Sequence, residues 1–292
     1  MPLSKMKLSE KTTLIFLRAL SRHLKGVSSA RRQRYANFLA AFIFKCIPVR
    51  KKVAYLNIAR AFPERDKQWV SKVLRKSYNI ATQNFIDFLS IPSSVSSTKF
   101  KIINKEILDN SIRRNKGTIL VTAHFGLWEK WGAWLGVSGY PISGIFQKQS
   151  NKGSDQFFKE LRQSYGMGHI YRRDPIEKSF NILNDNKLLI LASDQNAKNK
   201  GVVVDFFKLK TSIPKGAAIF HLKKGSTLIF SVGTVSQEGH MTISFDEIIL
   251  KETPTVESIS QAYTLMLEKK IKEFPDHYFW FHRKWKSNFT HR

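Results

Sequence analysis

One cysteine stands among 292 residues, so no intramolecular disulfide can form and no cysteine-based zinc site can be assembled. That residue, Cys46, lies in the largely apolar run FLAAFIFKCIP (38–48), where a buried and inert thiol is expected. Acidic residues are scarce: 22 Asp and Glu face 49 Lys and Arg, a net charge of +27. An excess of this size calls for an anionic partner, whether nucleic acid, an anionic membrane or a phosphorylated substrate. Long apolar runs are missing too. Arg18, Arg22 and Lys25 break the first apolar segment and Lys45 interrupts the second, so neither reaches the roughly 20 apolar residues of a bilayer span. No small-residue cleavage site follows the first segment, and no cleavable signal peptide is expected. The chain has no G-x-S-x-G elbow, no Walker A loop, no H-E-x-x-H and no G-x-G-x-x-G after a strand. Nucleophilic-serine and metal mechanisms therefore find no footing, and no bound cofactor is expected.

What is present is a hydrophobic fraction of 42%, enough for a substantial core, with 22 Phe, 8 Tyr and 6 Trp. So much phenylalanine fits either a protein that handles apolar ligands or a Phe-rich interior. The positive charge is uneven. Residues 1–60 hold fourteen Lys and Arg against one acid, Glu10. There the cations alternate with apolar residues: Leu14, Leu17, Leu20 and Leu24 recur at helical spacing with Arg18, Arg22 and Lys25 between them. Tyr35, Phe38, Leu39, Phe42, Ile43 and Phe44 lie between the clusters Arg31-Arg32-Arg34 and Arg50-Lys51-Lys52. A nucleic-acid arm would be polar as well as basic, so nucleic acid is not the expected partner. A basic amphipathic helix can instead lie in the interface of an anionic membrane. A helix packed on the protein's own core would show the same spacing.

The pattern divides the chain into a basic helical N-terminal arm, 1–60, and a second region, 61–292. The arm reads as two helices joined by Gly26-Val27-Ser28-Ser29. A helix follows within 62–92, and from about Phe100 short β-runs alternate with helices. Strands are expected within 116–126 and at Ile142–Phe146, Leu188–Ser193, Thr227–Val235 and Met241–Phe245. Helices are expected over 127–139, Ser154–Tyr165, Ile176–Asn184, Pro214–Lys223 and Val256–Phe274. Such alternation predicts an α/β fold, a mixed and mostly parallel sheet flanked by helices.

His124 falls where the run KGTILVTAHFG (116–126) turns from strand to helix, and ligands bind at that edge of open α/β sheets. Glu129 follows five residues later and could reach back to fix the imidazole. Together they could act as a general base on a hydroxyl. On spacing alone, a helix-capping or hydrogen-bonded core histidine with a solvated glutamate is the favoured reading.

The segment AHFGLWE (123–129) resembles the signature of the late acyltransferases of lipid A biosynthesis, in the wider lysophospholipid-acyltransferase-like group with its H-x4-D/E motif. Five more blocks agree in order: NIARAFPE (57–64), FKELRQSYG (158–166), LASDQNAKNKGVVVDFF (191–207), TSIPKGAAIFHLKKGSTLI (211–229) and YFWFHRKWK (278–286). The resemblance runs from Asn57 to Lys286. It implies transfer of a fatty acyl chain from an acyl carrier protein or acyl-CoA thioester to a hydroxyl of a lipid A precursor. It also implies attachment to the cytoplasmic face of the inner membrane, peripherally or by a single span. His124 would be the base and Glu129 its partner; Arg162, Asp194 and Gln195 would serve substrate binding. Trp280, His282, Arg283 and Lys286 would pack on the core or present positive charge. The chain departs from the family at Phe146-Gln147, where relatives often have Tyr-Arg, and at Lys208, where many have glycine. Those departures bear on substrate choice, leaving open a lysophospholipid or other glycolipid acceptor, or a non-enzymatic basic binder.

Overall fold

A computed structural model describes residues 6–47, 49–250 and 253–285. The N-terminal region forms three helices, α1 (Leu8–Lys25), α2 (Ser29–Cys46) and α3 (Lys51–Ala61), followed by the long α4 (Lys67–Leu89) and the short α5 (Ser93–Ser96). Then come β1 (Phe100–Ile103), α6 (Lys105–Arg113), β2 (Thr118–Thr122), α7 (Trp128–Val137), β3 (Ile142–Phe146), α8 (Lys152–Gln163), β4 (Gly168–Tyr171), α9 (Glu177–Asn184) and β5 (Leu188–Ala192). A hairpin, β6 (Val202–Phe206) and β7 (Leu209–Ile213), precedes α10 (Gly216–Lys224), β8 (Thr227–Val235), β9 (Met241–Glu247) and α11 (Val256–Glu273).

The main sheet has the order β1-β9-β8-β2-β5-β3-β4. Strands β8, β2, β5, β3 and β4 run parallel, whereas β9 is antiparallel to β8 and carries β1 parallel to itself. The mixed, mostly parallel α/β sheet predicted from the sequence is thus the one that forms. Every residue of β2 is buried, as expected of a central parallel strand covered on both faces. The handedness of crossovers decides which helices cover which face. The chain moves one way along the sheet from β2 through α7 to β3 and through α8 to β4. It then reverses, through α9 to β5 and through α10 to β8. Right-handed connections in opposite directions put α7 and α8 on one face and α9 and α10 on the other. Two cores result, one including Leu120, Trp131, Leu161 and Ile190, the other Val121, Leu183, Leu191 and Phe220.

The N-terminal helices contribute to these same cores. Leu14, Leu17 and Leu24 of α1 are buried, and Arg18 of that helix pairs with Glu160 of α8 at 2.9 Å. Helix α2 lies on α4, where the Thr82 hydroxyl donates to the Ala36 carbonyl at 3.1 Å. The leucine stripe of α1 is therefore a packing stripe. A second set of apolar side chains faces solvent among the cations: Phe16 is 64% exposed and Phe38 76%, with Ile15, Tyr35 and Phe42 exposed as well. No helix of the described residues is long and apolar enough to cross a membrane.

Three expectations need correction. Cys46 is exposed, not buried. The buried stripe of α2 is Arg32, Ala36 and Ala40, and Cys46 falls off that line. The arm holds a third helix, α3, which the two-helix reading overlooked. Strands β1, β4, β6 and β7 and helix α6 were also unforeseen; none of these strands exceeds five residues and each is flanked by polar sequence.

An ionic cluster joins α2, α4 and α7. Lys130 Nζ lies 2.5 Å from Asp87 Oδ2, and Arg32 Nε lies 3.8 Å from Asp87 Oδ1, with all three side chains almost fully buried. Arg32 also donates to the Val27 carbonyl and to Ser97 Oγ, both at 2.6 Å. Burial lowers the pKa of both cations, with Asp87 opposing that shift. Removing the one anion would strand two buried positive charges. Asp87→Ala is expected to cost about 3–5 kcal/mol of stability, measured by urea unfolding; an unchanged midpoint would show the cluster to be dispensable.

Candidate active site

The site is assembled by strand register. Parallel pairing sets Thr122 of β2 opposite Ala192 of β5. Two residues past each partner, at the carboxyl edge of the sheet, stand His124 and Asp194. Their side chains meet there, His124 Nδ1 lying 2.8 Å from Asp194 Oδ1. With the carboxylate ionised, Nδ1–H donates and Nε2 is left as the basic nitrogen.

Asp194 is 3% exposed and lies behind the imidazole, whose side chain keeps 25% of its surface. Burial opposes the charged form of His124. The Asp194 charge and hydrogen bond, with a further contribution from Glu129, outweigh it and hold the imidazole above its ordinary pKa. Burial also pushes the Asp194 carboxyl upward, but His124 and Lys284 prevail and keep it below the usual value. Lys284, itself buried, donates from Nζ to the Asp194 carbonyl and sits 4.5 Å from the centre of the Phe206 ring. Desolvation, opposed by Asp194, lowers its pKa to about 8.

Aromatic rings frame the imidazole. Trp128 meets it edge-on at 5.4 Å between centroids, and Phe279 lies at 6.1 Å. Phe279 N–H donates to the His124 carbonyl at 2.9 Å, so the C-terminal segment fixes this turn directly. Gly126 closes the turn with φ +57; any side chain there would run into the Gly233 carbonyl, which makes glycine obligatory.

Glu129 occupies the first turn of α7, where a carboxylate suits the helix dipole. Its backbone N–H donates to Asn84 Oδ1 of α4 at 3.1 Å. Its carboxylate does not hydrogen-bond to His124. Both oxygens are taken by Arg162, at 2.5 Å from Nη2 and 3.2 Å from Nε. The Arg162 guanidinium lies between two rings, 4.0 Å from the centre of Phe146 and 4.9 Å from that of Phe88. The orienting bond assigned to Glu129 from the sequence is thus made by Asp194, since β5 delivers residue 194 beside the imidazole and α7 turns residue 129 toward the end of α8. Glu129 reaches His124 only through its charge.

Gln195 follows Asp194 and brings its amide Nε2 to 3.4 Å from His124 Nε2 and 3.5 Å from Nδ1. A cavity of about 640 Å³ opens at this edge, lined in part by His124, Trp128, Glu129, Arg162 and Gln195. Among the candidates in the C-terminal motif, Trp280 is buried and donates from Nε1 to the Pro275 carbonyl at 2.7 Å. Asn57 ties α3 to the same segment, donating to the carbonyls of Trp280 at 2.8 Å and His282 at 2.7 Å. Burial lowers the His282 pKa, Arg283 is exposed, and Lys286 lies outside the described residues. Sequence reasoning passed over Lys284, Asn84 and Phe279. A lysine between two aromatic-rich stretches is a weak signal, and the other two act through backbone contacts that leave no pattern. Among the described residues no group of three or more His, Cys, Asp or Glu is placed to hold a metal ion.

The sequence profile of the bacterial lipid A biosynthesis acyltransferase family matches residues 9–287. Two similar proteins are phosphatidylinositol mannoside acyltransferases. That of Mycolicibacterium smegmatis is 27% identical over 131 residues, 44% of this chain and 43% of the relative. That of Mycobacterium tuberculosis is 26% identical over 126 residues, 42% of this chain and 40% of the relative. The chain thus spans less than half the length of either relative in these matches.

Proposed function

The chain belongs to the bacterial lipid A biosynthesis acyltransferase family, and we propose that it moves a fatty acyl group from a thioester donor to a hydroxyl of a lipid A-type glycolipid. The observation that carries this reading is His124 in the cavity wall, its Nδ1 engaged by a buried carboxylate and its Nε2, 3.4 Å from the Gln195 amide, left as the basic nitrogen.

In the proposed reaction, Nε2 of neutral His124 takes the proton of the acceptor hydroxyl as its oxygen attacks the thioester carbonyl. Asp194 stabilises the imidazolium that forms. The tetrahedral intermediate carries negative charge on the former carbonyl oxygen, and we assign the Gln195 amide, 3.4 Å from His124 Nε2, as its neutral donor. Collapse breaks the carbon–sulfur bond, and the departing thiolate takes the proton back from His124. An ester and a free thiol result. Neither a metal nor a bound cofactor enters; the acyl carrier protein or acyl-CoA is a co-substrate. We further propose that the basic, aromatic-bearing outer face of α1 and α2 rests on an anionic membrane surface, on the cytoplasmic side of the inner membrane.

A second acceptor reading, a mannosylated phosphatidylinositol, draws support from the two relatives, both phosphatidylinositol mannoside acyltransferases. Mass spectrometry of lipid A from cells with and without the gene separates the readings. Loss of one secondary acyl chain is expected; unchanged lipid A would sink the lipid A acceptor and favour the second.

A further inference from the structure

Lys284 is 2% exposed, and the reaction above gives its charge no task. Burying an ammonium is costly unless partners replace the water it loses. Here Nζ donates to the Asp194 backbone carbonyl and lies 4.5 Å from the centre of the Phe206 ring. The Asp194 carboxylate is engaged by His124 Nδ1 instead. A carbonyl and an aromatic face compensate a buried cation only in part. Methionine, also long and unbranched, would fill the same room without that cost.

The lysine also belongs to a clasp. Its own carbonyl accepts from the Asn196 side-chain amide at 2.8 Å and from Thr211 Oγ1 of β7 at 3.1 Å. Earlier in the same segment, Phe279 N–H donates to the His124 carbonyl at 2.9 Å. The stretch 279–284 thus grips the main chain of both members of the His124–Asp194 pair. Strands β2 and β5 stay in register as far as Thr122 and Ala192, short of that pair. Beyond them, these main-chain ties help to set how the two turns face each other.

We propose that Lys284 is a positioning residue: its ammonium holds Asp194 against His124, and acyl transfer requires that ammonium to be charged. This rests on the transferase reading above. A cation beside Asp194 favours the carboxylate, the form that accepts from Nδ1–H and stabilises the imidazolium. Burial, opposed by Asp194, lowers the Lys284 pKa to about 8. The lysine is therefore charged at neutral pH and loses its proton as pH rises through that value. Its loss should end activity on the alkaline side, whereas deprotonation of His124 starts activity on the acid side. The other ionisable groups around this segment are His282, Arg283, Tyr278, Arg50 and Glu268. Burial holds His282 below its ordinary pKa, and burial with Asp194 holds the Tyr278 hydroxyl well above its own. Arg50 donates to the Phe281 carbonyl, Glu268 accepts from Phe207 N–H, and Arg283 is exposed.

Two measurements on the full-length protein test the assignment. The first needs no substrate and follows the His124 nitrogen-15 shifts against pH. Besides the titration of the imidazole itself, a second step should appear near pH 8, where Lys284 loses its charge. Lys284→Arg should lack that step, because a guanidinium stays protonated. The second follows kcat and KM for lauroyl-CoA and lauroyl-acyl carrier protein, with an under-acylated lipid A precursor as acceptor. In the wild type kcat should fall above about pH 8; in Lys284→Arg it should hold. A neutral amine still has hydrogens to donate, so a fall on deprotonation marks the charge and not the bond. Lys284→Met should lower kcat by about 10- to 100-fold with KM unchanged. Its thermal stability should not drop, since a buried charge has been removed.

Wild-type kcat in Lys284→Met, no second step in the wild type, or an alkaline fall that survives in Lys284→Arg would overturn the assignment. If Lys284→Met fails to fold, Lys284→Arg decides alone. Absence of transfer from both thioesters, with the second step present, would overturn the transferase reading and leave the hold of Lys284 on the pair standing.

Discussion

Replacing His124 by alanine is expected to slow acyl transfer by about 10²- to 10⁴-fold, the range supplied by a positioned general base. The two carboxylates that act on His124 are not placed to take over the role. Asp194 lies buried behind the ring, and both oxygens of Glu129 are held by Arg162. The loss should fall on kcat, since the other side chains that line the cavity are left in place. The variant strands Asp194 without its hydrogen-bond partner, so stability must be followed alongside, by thermal unfolding. His124→Gln provides the control: its amide can still donate toward Asp194 but cannot carry a proton. Both variants should be folded and inactive. Wild-type turnover in either would mean that another group removes the proton.

Asp194→Asn carries the second large effect and has a signature of its own. The carboxylate raises the His124 pKa through its charge and its hydrogen bond, against a burial effect that acts downward. Without the charge, burial dominates and the imidazole pKa falls. The basic form of His124 then persists to lower pH, so the acid limb of the pH–rate profile should move in the acidic direction. The plateau rate should nevertheless drop, on the order of 10²-fold, because the imidazolium formed in the transition state loses its counter-charge. A lower rate together with an acid-shifted limb separates a partner of the base from a residue that merely supports the fold. An unmoved limb would place the origin of that limb elsewhere.

The fold was legible where periodicity was strong. The runs that became β2, β5 and β8 are largely apolar and buried, and α7 to α11 keep helical spacing, so their existence and order could be read directly. The short strands β4, β6 and β7 could not, because four or five mixed residues carry no period that distinguishes strand from loop. For the candidate site, the sequence singled out residues that the structure gathers at one cavity, but not how they pair. His124, Glu129, Arg162, Asp194 and Gln195 all line or back the cavity. Spacing along the chain suggested His124 with Glu129, five residues apart. Three-dimensional pairing joins His124 to Asp194, 70 residues away, because β2 and β5 are neighbours in register. Strand order is a property of the whole sheet and is not written in either strand. The amphipathic α1 likewise showed its leucines without saying whether protein or lipid covers them, and packing of α1 against α8 and α4 answers for Leu14, Leu17 and Leu24, all buried.

The most direct test of a general-base role compares two titrations of the wild-type enzyme. One follows the His124 imidazole by nitrogen-15 NMR, assigned against His124→Gln; the other follows kcat/KM for a thioester donor across the same buffers. Both midpoints should coincide, above the ordinary histidine value, in the direction set by Asp194 and Glu129. A His124 that titrates well apart from the acid limb of the rate would contradict its assignment as the base.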